Sequence, residues 1–502
     1  MLLLHPPVAK PCEPPGGIAR LTGFLRGHGL PCTVADLNLE GQLFLLNGPT
    51  APTGAWSRRA CRDITANLRA LGTPQLYTTP ARYQRAVLDV NRVLAIVGRA
   101  RQIELSLANY QDSALSPLRS TDLIQAAARP EANVFFPYFA ARLPQLLAAS
   151  RPALVGFSLN YLSQALCTFA MVGFLKQRYP GLPVVLGGGL VTSWCRNPGW
   201  HNPFIGLIDH LVAGPGEGPL LTLLGGQPRG GHQPPDYADL RHTAYLAPGF
   251  ILPYAASSGC YWNQCSFCPE KAEANPYLQV PAAQALDDIQ HLVARTGPIL
   301  LHLLDNAISP ALMRELVARP PGVGWYGFAR VSPLLTDAAF CLALRRAGCV
   351  MLKLGLESGD QGVLDAMHKG IDLAMVSATL AALQKAGIAT YVYLLFGTPS
   401  ESINEARRTL RYVADEKAAI TFLNLAVFNM PVCGAEADSL AVRDFYAADL
   451  TLYTDFKHPL GWDRQAVRRF LDQEFKRHPA VAAILRRDPP LFTSNHAPFF
   501  RN

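Results

Sequence analysis

The chain has 502 residues, of which 49% are apolar and only 16% are charged. This composition excludes a disordered or heavily solvated protein and leaves room for two or three domains. Its 45 Lys and Arg residues against 37 Asp and Glu give a formal net charge of +8, spread along the chain without a basic run. Such a balance slightly favours anionic ligands or cofactors and argues little for nucleic acid.

Neither secretion nor a membrane span is expected. The opening apolar run, residues 1–7, is too short for a signal peptide and is predicted to be a buried strand that ends in a turn. Residues 153–175 carry no charge, but polar side chains interrupt them. We therefore predict a strand at 153–159 and a buried helix at 162–178. Eleven cysteines in a long chain of this kind indicate reduced thiols in the cytoplasm, where clustered cysteines are read first as metal ligands.

Strand and helix signals alternate in residues 1–224, as in a Rossmann-like α/β domain. Within this domain, residues 42–151 are predicted to form a mostly helical insertion. Residues 225–250 are rich in Gly, Pro and His, lack periodicity and are predicted to be a linker. The strands of the sheet are predicted at 2–5, 32–36, 153–159, 184–186 and 210–213, with a helix at 17–27.

Six further strand and helix units follow in residues 251–437. Six successive units predict a partial (β/α)6 barrel, whose chemistry should lie at the carboxyl ends of the strands. Residues 438–502 are predicted to be a helical C-terminal extension. The barrel strands are predicted at 252–257, 299–304, 323–329, 350–356, 390–396 and 420–427, and helix starts are marked by Ser309-Pro310, Thr336-Asp337 and Ser402-x-x-Glu405.

The strongest chemical signal is three cysteines within nine residues, Cys260, Cys265 and Cys268, directly after the first barrel strand. Three thiolates on one loop suit a [4Fe–4S] cube, because each binds one iron and the fourth iron stays open for another ligand. A structural zinc site would need a fourth Cys or His, and none lies close in the sequence. Zinc binding and three unliganded core thiols stay open as alternatives.

With this loop, the sequence resembles the radical S-adenosylmethionine (SAM) enzymes, whose three-cysteine loop follows the first strand of a partial six-unit barrel. Further similar segments are Gly-Leu-Glu-Ser-Gly at 355–359, Met-His-Lys-Gly at 367–370 and Leu-Phe-Gly-Thr-Pro-Ser-Glu at 395–401. The usual family spacing is C-x3-C-x2-C, whereas four residues separate Cys260 from Cys265 here. Phe267 keeps the aromatic position before the last cysteine, so the resemblance still implies a cluster.

The resemblance also implies site residues for SAM, which the family cleaves to methionine and a 5′-deoxyadenosyl radical after an electron is injected. Glu357, at the end of the fourth strand, is expected to contact SAM, with a salt bridge at the barrel rim as the alternative. Asp305 ends the second strand, where many members carry Gly-Gly-Glu, and is a substitute candidate. Arg330 ends the third strand and is a candidate clamp for a carboxylate, or a solvent-facing residue. Cys433 is a candidate catalytic thiol or extra ligand, or an ordinary thiol.

The front domain carries a second resemblance. Glycines after a buried strand allow a ligand to approach the backbone, although many nucleotide folds share this feature. Their context is similar to the cobalamin-binding Rossmann-like domains that precede some radical SAM barrels. The matching residues, in chain order, are Asp36-x-Asn38-x-x-Gly41, Ser158-x-Asn160, Gly187-Gly188-Gly189 and Gly214-Pro215-Gly216-Glu217-Gly218.

Position 38 separates this chain from the members of that group whose histidine ligates cobalt in Asp-x-His-x-x-Gly. An amide is a poor cobalt ligand, so Asn38 implies a cobalamin whose lower face has no protein ligand. That state favours the strongly nucleophilic cob(I) form. The alternative is a doubly wound domain that has lost the cofactor or binds something else.

Together, the two resemblances imply a cobalamin-dependent radical SAM methyltransferase acting on an unactivated carbon, or phosphorus, of a small molecule or natural-product intermediate. One SAM would methylate cobalamin and another would supply the radical, with electrons from a donor such as flavodoxin or ferredoxin. The runner-up is a radical SAM enzyme that forms or rearranges rings without methyl transfer. A zinc-stabilised binding module is disfavoured by six barrel strands with polar ends and by the absence of a basic stripe.

Overall fold

The computed structural model describes residues 1–227, 231–489 and 496–500. The chain divides into one unit of Met1–Ile251 with Tyr446–Leu452, and a second unit of Leu252–Phe445 with Tyr453–Pro489 and 496–500. Part of the predicted linker, 228–230, and parts of the predicted extension, 490–495 and 501–502, lie outside the described residues. None of the helices in the described ranges combines the length and the apolar character that crossing a membrane requires.

The first unit contains a parallel sheet of five strands in the order β2-β1-β5-β6-β7. This is the flavodoxin-like order, in which the chain reverses its winding between β1 and β5 and ligands bind at the carboxyl ends near that point. Each of the five lies within two residues of its predicted position. The strands of this unit are β1 (Leu2–His5), β2 (Thr33–Asp36), β3 (Ile103–Leu105), β4 (Tyr110–Asp112), β5 (Val155–Ser158), β6 (Val184–Gly187) and β7 (His210–Val212).

Nine α-helices lie in the described part of the first unit. Four of them, α3 to α6, make the insertion mostly helical as expected, and a short antiparallel hairpin, β3 and β4, joins them. The uncharged stretch near residue 160 is strand β5 followed by a helix whose middle is buried, as the predicted strand and buried helix require. The helices are α1 (Gly16–Gly27), α2 (Leu37–Leu46), α3 (Ala55–Leu71), α4 (Pro80–Arg99), α5 (Ser120–Ala128), α6 (Phe136–Ser150), α7 (Leu162–Arg178), α8 (Gly189–Arg196) and α9 (Glu217–Leu223).

The segment predicted as a linker packs against the first unit. Tyr237 and Tyr245 are buried, and the Tyr245 hydroxyl donates to Oδ2 of Asp36 at 3.0 Å. Arg26 forms ion pairs with Asp236 and Asp239 at 2.8 Å each. The segment lacks helical or strand periodicity because its aromatic and acidic side chains serve this packing at irregular intervals.

The second unit contains six parallel strands that lie side by side in chain order, β8-β11-β12-β13-β14-β15. This is the arrangement predicted for the partial barrel, and all six strands were located from the sequence. A short antiparallel pair, β9 and β10, flanks the cysteine loop. The strands are β8 (Ile251–Tyr254), β9 (Ser257–Ser258), β10 (Leu278–Gln279), β11 (Leu300–Leu303), β12 (Trp325–Ala329), β13 (Cys349–Glu357), β14 (Ala389–Phe396) and β15 (Phe422–Val427).

Five of the eight helices described between these strands, α12 and α14 to α17, begin where a capping side chain accepts from a free backbone N–H group. Ser309 Oγ accepts from Leu312 N, and Ser402 with Glu405 forms the predicted capping box. The helices are α10 (Pro269–Ala272), α11 (Ala282–Thr296), α12 (Pro310–Ala318), α13 (Pro333–Thr336), α14 (Ala338–Arg346), α15 (Gln361–Ala366), α16 (Leu373–Ala386) and α17 (Ile403–Asp415).

The extension after residue 438 differs from the helical expectation in its first part. Strands β16 (Met430–Pro431), β17 (Val442–Arg443) and β18 (Tyr453–Phe456) form a small antiparallel sheet in the order β16-β18-β17. Aromatic and β-branched residues in β18 favour extended backbone, and Arg443 pairs with Asp455 across the sheet at 2.6 Å. Helices follow from residue 464 onward, at α18 (Arg464–Phe470), a π-helical turn (Leu471–Phe475) and α19 (Pro479–Leu485).

Candidate functional site

The three predicted ligands lie on one loop of the second unit, and all three thiols are half-buried and free of disulfides. The loop starts at Gly259, whose φ of 72° allows a tight turn. A Cβ at this position would lie 2.5 Å from the carbonyl oxygen of Pro276, so only glycine fits. Asn306 follows strand β11 and donates to the Gly259 carbonyl at 3.2 Å, which ties the turn to the barrel.

A left-handed turn lies between the first two cysteines, in the part of the loop that carries the additional residue. Asn263 has a φ of 45°, a conformation that asparagine adopts more readily than most residues. That the longer spacing still allows a cluster stays a prediction.

A segment that we call the clamp segment, residues 367–370, holds the cysteine loop through its backbone carbonyl groups. Ser266 N donates to the first of these carbonyls at 3.0 Å, and Trp262 Nε1 donates to the second at 3.2 Å. Arg330 donates through Nη2 to the carbonyls of Lys369 and Gly370, the latter at 2.9 Å. The clamp segment is the Met-His-Lys-Gly motif, and the sequence analysis did not predict its contacts with the cysteine loop.

Arg330 lies at the end of β12, as predicted, but its guanidinium faces the cysteine loop. It stacks over the Trp262 ring, with Cζ 3.8 Å from the ring centroid. A Cβ at Gly370 would lie 2.2 Å from that ring, so the stack also requires glycine there. Cys265 lies within hydrogen-bonding reach of the same guanidinium.

Glu357 ends strand β13 and forms an ion pair with Lys369 at 2.8 Å, with both side chains largely buried. Its φ of 68° and a shift in strand register after Gly355 turn the residue out of the regular ladder. The salt bridge that was the alternative for Glu357 is therefore present. The SAM contact remains a prediction.

The electrostatics around the thiols suit an anionic metal cluster. Burial raises the pKa of Cys265, and the charges of Lys369 and Arg330 act in the opposite direction by favouring the thiolate. Burial also raises the pKa of Cys268, while two backbone N–H groups of α10 donate to its sulfur. Soft thiolates beside cations are a donor set for an iron–sulfur cube. The described residues contain no three His, Cys, Asp or Glu side chains that converge on one metal ion; in a cube, each thiolate binds a different iron.

Two other predicted residues lie in different settings. Asp305 is buried at the end of the β11 region, where its carboxylate accepts from Ser257 Oγ and from Ala256 N at 3.1 Å. It therefore fastens the strand that leads to the cysteine loop. Cys433 lies in the turn after β16, and burial, together with the charge of Glu273, raises its pKa. A raised pKa makes this thiol a weak nucleophile.

A cavity of about 240 Å³ opens beside the carboxyl ends of β14 and β15. Four aromatic side chains contribute to its walls, and charged groups from β17, β18 and the start of α18 complete them. The sequence analysis did not assign this cavity. Gly397 belongs to the segment 395–401, but most of the other walls come from the chain after residue 438, which carries no readable motif. The lining includes Gly397, Phe428, Arg443, Phe445, Asp455, Phe456, His458, Trp462 and Arg464.

Glu401 contacts two residues of the cavity wall, Gly397 and Trp462. The sequence analysis quoted its motif but did not name it as a functional candidate. Its side chain is fully buried and accepts from Gly397 N and from Trp462 Nε1, the latter at 2.9 Å. Burial raises the pKa of Glu401 to about 7. The carboxyl group therefore holds its proton to a higher pH than an ordinary glutamic acid does.

In the first unit, Asn38 is buried and its side chain is already engaged. Oδ1 accepts from Ala9 N at 2.8 Å and from Gln42 Nε2 at 2.7 Å. Asp36 begins helix α2 by accepting from the backbone N–H of Asn38 and Leu39. The Asp-x-Asn motif therefore fastens the end of β2 to the start of α2.

Ser158 and the three predicted glycines meet at the carboxyl ends of β5 and β6. Asn160 joins them: its Nδ2 donates to Ser158 Oγ at 3.0 Å, and its Oδ1 accepts from Gly189 N at 3.0 Å. Gly188 has a φ of 113°, and a Cβ there would lie 2.4 Å from the Leu159 carbonyl. Gly187 ends β6 in register with Ser158.

His5, at the end of β1, was missed by the sequence analysis. It is buried beside Asp36, and its Nδ1 has no hydrogen-bond partner within the described chain. It lies at the strand ends where the sheet reverses its winding. Gly214 follows β7 at the carboxyl ends of the same sheet, and its backbone is open, since a Cβ there would meet nothing within 4 Å. An unpaired buried nitrogen and open backbone are features that a bound cofactor would complete.

Residues 254–413 match the family model of the radical SAM superfamily. Among solved structures, the radical S-adenosylmethionine methyltransferase TsrM from Kitasatospora setae, with tryptophan and a SAM analogue bound, aligns with a TM-score of 0.57. The sequence identity is 16%, and the alignment covers 98% of this chain and 89% of that one. A second structure of TsrM contains cobalamin and a [4Fe–4S] cluster. At this identity the likeness establishes the fold.

Two curated relatives match parts of the sequence. The anaerobic magnesium-protoporphyrin IX monomethyl ester cyclase of Rubrivivax gelatinosus is 26% identical over 165 residues, which are 31% of this chain and 29% of that protein. The tryptophan 2-C-methyltransferase of Streptomyces laurentii is 26% identical over 218 residues, or 39% of this chain and 36% of that protein. The matches thus span about a third of each relative.

Proposed function

We propose that the protein is a cobalamin-dependent radical SAM methyltransferase, from the premise that residues 254–413 match the radical SAM superfamily. Its substrate would be an unactivated carbon, or phosphorus, of a small molecule. The observation that carries the proposal is the order of the two sheets: a flavodoxin-like unit precedes a six-stranded barrel sheet with three thiols on its first loop. TsrM, a methyltransferase, shares this fold along almost the whole chain.

Cys260, Cys265 and Cys268 would hold the [4Fe–4S] cluster. When bound, the cluster supplies the electron that cleaves SAM, and cobalamin carries a methyl group. The chain itself fixes the loop through the clamp segment and keeps Lys369 and Glu357 paired beside Cys265. Glu357 is the residue we assign to the amino group or ribose of SAM. An external donor such as flavodoxin or ferredoxin would supply the electrons.

Cobalamin would bind at the carboxyl ends of β1, β5 and β6, near Ser158 and residues 187–189. Asn38 already accepts two hydrogen bonds within the protein, which supports a cobalt whose lower face has no protein ligand. Electron paramagnetic resonance of the cob(II) form tests this. Splitting by an axial nitrogen would contradict it, and Asn38→His, if it folds, should introduce such splitting.

The cavity beside β14 and β15 is the place we assign to the substrate. Its position at strand ends is where barrel enzymes carry out their chemistry, and its mixed aromatic and charged walls suit a small polar molecule with a flat apolar part. Phe456→Ala should raise KM for the substrate and leave SAM cleavage without substrate unchanged. If Phe456→Ala impairs substrate turnover and substrate-free SAM cleavage equally, the substrate binds elsewhere.

The decisive experiment does not require the substrate. Anaerobically reconstituted protein receives SAM, a reductant and cobalamin, and two products are quantified. Methyl transfer predicts S-adenosylhomocysteine that depends on added cobalamin, and radical chemistry predicts 5′-deoxyadenosine that depends on the three cysteines. With [methyl-²H₃]SAM and tryptophan as a first trial substrate, label in a product would identify the acceptor.

Ring formation without methyl transfer is the second candidate, because one group of curated relatives are cyclases. It predicts 5′-deoxyadenosine without S-adenosylhomocysteine under every condition of the same experiment. In either case the free thiols suit a reducing compartment, and we place the enzyme in the cytoplasm.

A further inference from the structure

We propose that Arg330 is a positioning residue for the iron–sulfur cluster, acting through the Cys265 ligand, instead of the carboxylate clamp that its place in the sequence predicts. Its guanidinium would raise the cluster's reduction potential by donating to that sulfur. The inference rests on the cluster of the proposed function. It assigns a new role within that site.

The first argument is geometric. Arg binds a carboxylate in two-donor fashion through one of two planar edges, Nη1 with Nη2 or Nε with Nη2. Both edges include Nη2, which already donates to the carbonyls of Lys369 and Gly370. One face of the guanidinium group lies against the Trp262 ring. A carboxylate of SAM therefore finds neither two-donor edge free.

The second argument is electrostatic. Lys369 also lies near Cys265, but its charge is neutralised by Glu357, whose Oε1 lies 2.8 Å from Lys369 Nζ. Arg330 has no carboxylate partner among the described residues, so its charge near Cys265 is not compensated locally. Hydrogen bonds and positive charge at a ligating sulfur stabilise the more negative, reduced cluster. Removing this charge should make reduction harder.

The third argument concerns the longer cysteine spacing. Trp262 belongs to the extended part of the loop, and its indole N–H is anchored on the clamp segment at 3.2 Å. The ring then forms the platform on which Arg330 lies, with Cζ 3.8 Å from the ring centroid, the geometry of a favourable cation–π contact. Gly370 leaves the space that the platform needs. The longer loop thus supplies the surface that orients the guanidinium.

The test compares wild-type protein with Arg330→Gln and Arg330→Lys, each reconstituted anaerobically. Arg319→Gln is the matched control, because Arg319 pairs with Asp287 on the surface of the same unit. Iron content, the midpoint potential from an EPR-monitored titration without SAM, and the Kd of SAM are measured. We expect about four irons per chain in every variant, a more negative potential for Gln than for Lys, and a SAM Kd within about threefold of wild type.

If the midpoint potential of Arg330→Gln equals that of the wild type, the proposal is overturned. If, in addition, the Kd of SAM rises about tenfold or more, Arg330 is the carboxylate clamp that its place in the sequence predicts. If Arg330→Gln prevents iron binding, Arg330→Lys decides by the same two measurements. A wild-type protein that binds no iron would instead refute the proposed function, so the two failures can be told apart.

Discussion

The carboxyl ends of the strands differ between the two units. In the second unit, Arg330 and the buried Lys369–Glu357 ion pair lie near Cys265, and backbone carbonyls of the clamp segment accept hydrogen bonds from the loop. In the first unit, apart from the buried Asp36 carboxyl group beside His5, the strand ends are joined by neutral amide and hydroxyl hydrogen bonds around Asn38 and Asn160.

This difference matches what each region would bind. An anionic cluster needs nearby positive charge, whereas a large cofactor bearing many amide groups can be bound by backbone and neutral side chains. Substitutions in the cysteine region should therefore change charge-dependent properties. Substitutions at the neutral strand ends should change packing and backbone geometry.

The largest effect is expected from replacing Cys260, Cys265 and Cys268 together by Ala. Iron should fall from about four per chain to almost none, and SAM cleavage should disappear, while cobalamin binding by the first unit persists. Iron and sulfide analysis with a cobalamin titration measures this. Cys61→Ala, a half-buried thiol of the first unit, is the control; retained iron in the triple variant would refute the ligand assignment.

In the first unit, Gly188→Ala tests the backbone geometry. The φ of 113° and the Cβ contact of 2.4 Å with the Leu159 carbonyl should cost about 3 kcal/mol of unfolding free energy and weaken cobalamin binding. Gly189→Ala, where a Cβ meets only ordinary contacts at 3.8 Å, should be nearly neutral. Denaturant unfolding of both variants provides the comparison, and equal stability would contradict it.

The corresponding glycine of the cysteine region is Gly370. Gly370→Ala combines a φ of 63° with a Cβ 2.2 Å from the Trp262 ring. Because a half-exposed ring can shift, we expect a loss of about 2 kcal/mol together with lower iron content. Gly387→Ala isolates the backbone part, since its φ is 70° with nothing within 4 Å, and should cost about 1 kcal/mol without loss of iron.

Each unit also buries a carboxyl group near its strand ends. Burial raises the pKa of Asp36, with His5 opposing it, and raises that of Glu401 to about 7. An unfolded Glu ionises near pH 4.5, so between about pH 4.5 and 7 the unfolded state binds fewer protons than the folded one. The stability of the wild type should therefore fall as the pH rises through this window.

Glu401→Gln removes that dependence, because an amide does not ionise and can still accept a hydrogen bond. Relative to wild type, the variant should gain about 1–2 kcal/mol of unfolding free energy between pH 5 and pH 8. Unfolding curves at the two pH values measure the difference. Asp415→Asn, at an exposed position of the same unit, should show no such gain, and parallel behaviour of the two variants would contradict the assignment.

Much of the fold could be predicted from local patterns. Strand and helix periodicity located all eleven strands of the two parallel sheets, and capping residues such as Ser309 and Ser402 marked helix starts. The cysteine motif located the candidate cluster loop because its three ligands lie within nine residues. The strands at 442–456 were missed, since short antiparallel pairing of β16 to β18 is decided by distant partners.

The sequence by itself determined the two α/β units, the cysteine loop and the neutral residue at position 38, because these depend on residues that are neighbours in the chain. Only the tertiary structure decided that Arg330 faces Cys265, that Glu357 pairs with Lys369, and that a cavity forms beside β14 and β15. These contacts join residues from separate strands and loops. Side-chain direction and the competition among nearby charges and carbonyls are fixed only when those elements pack together.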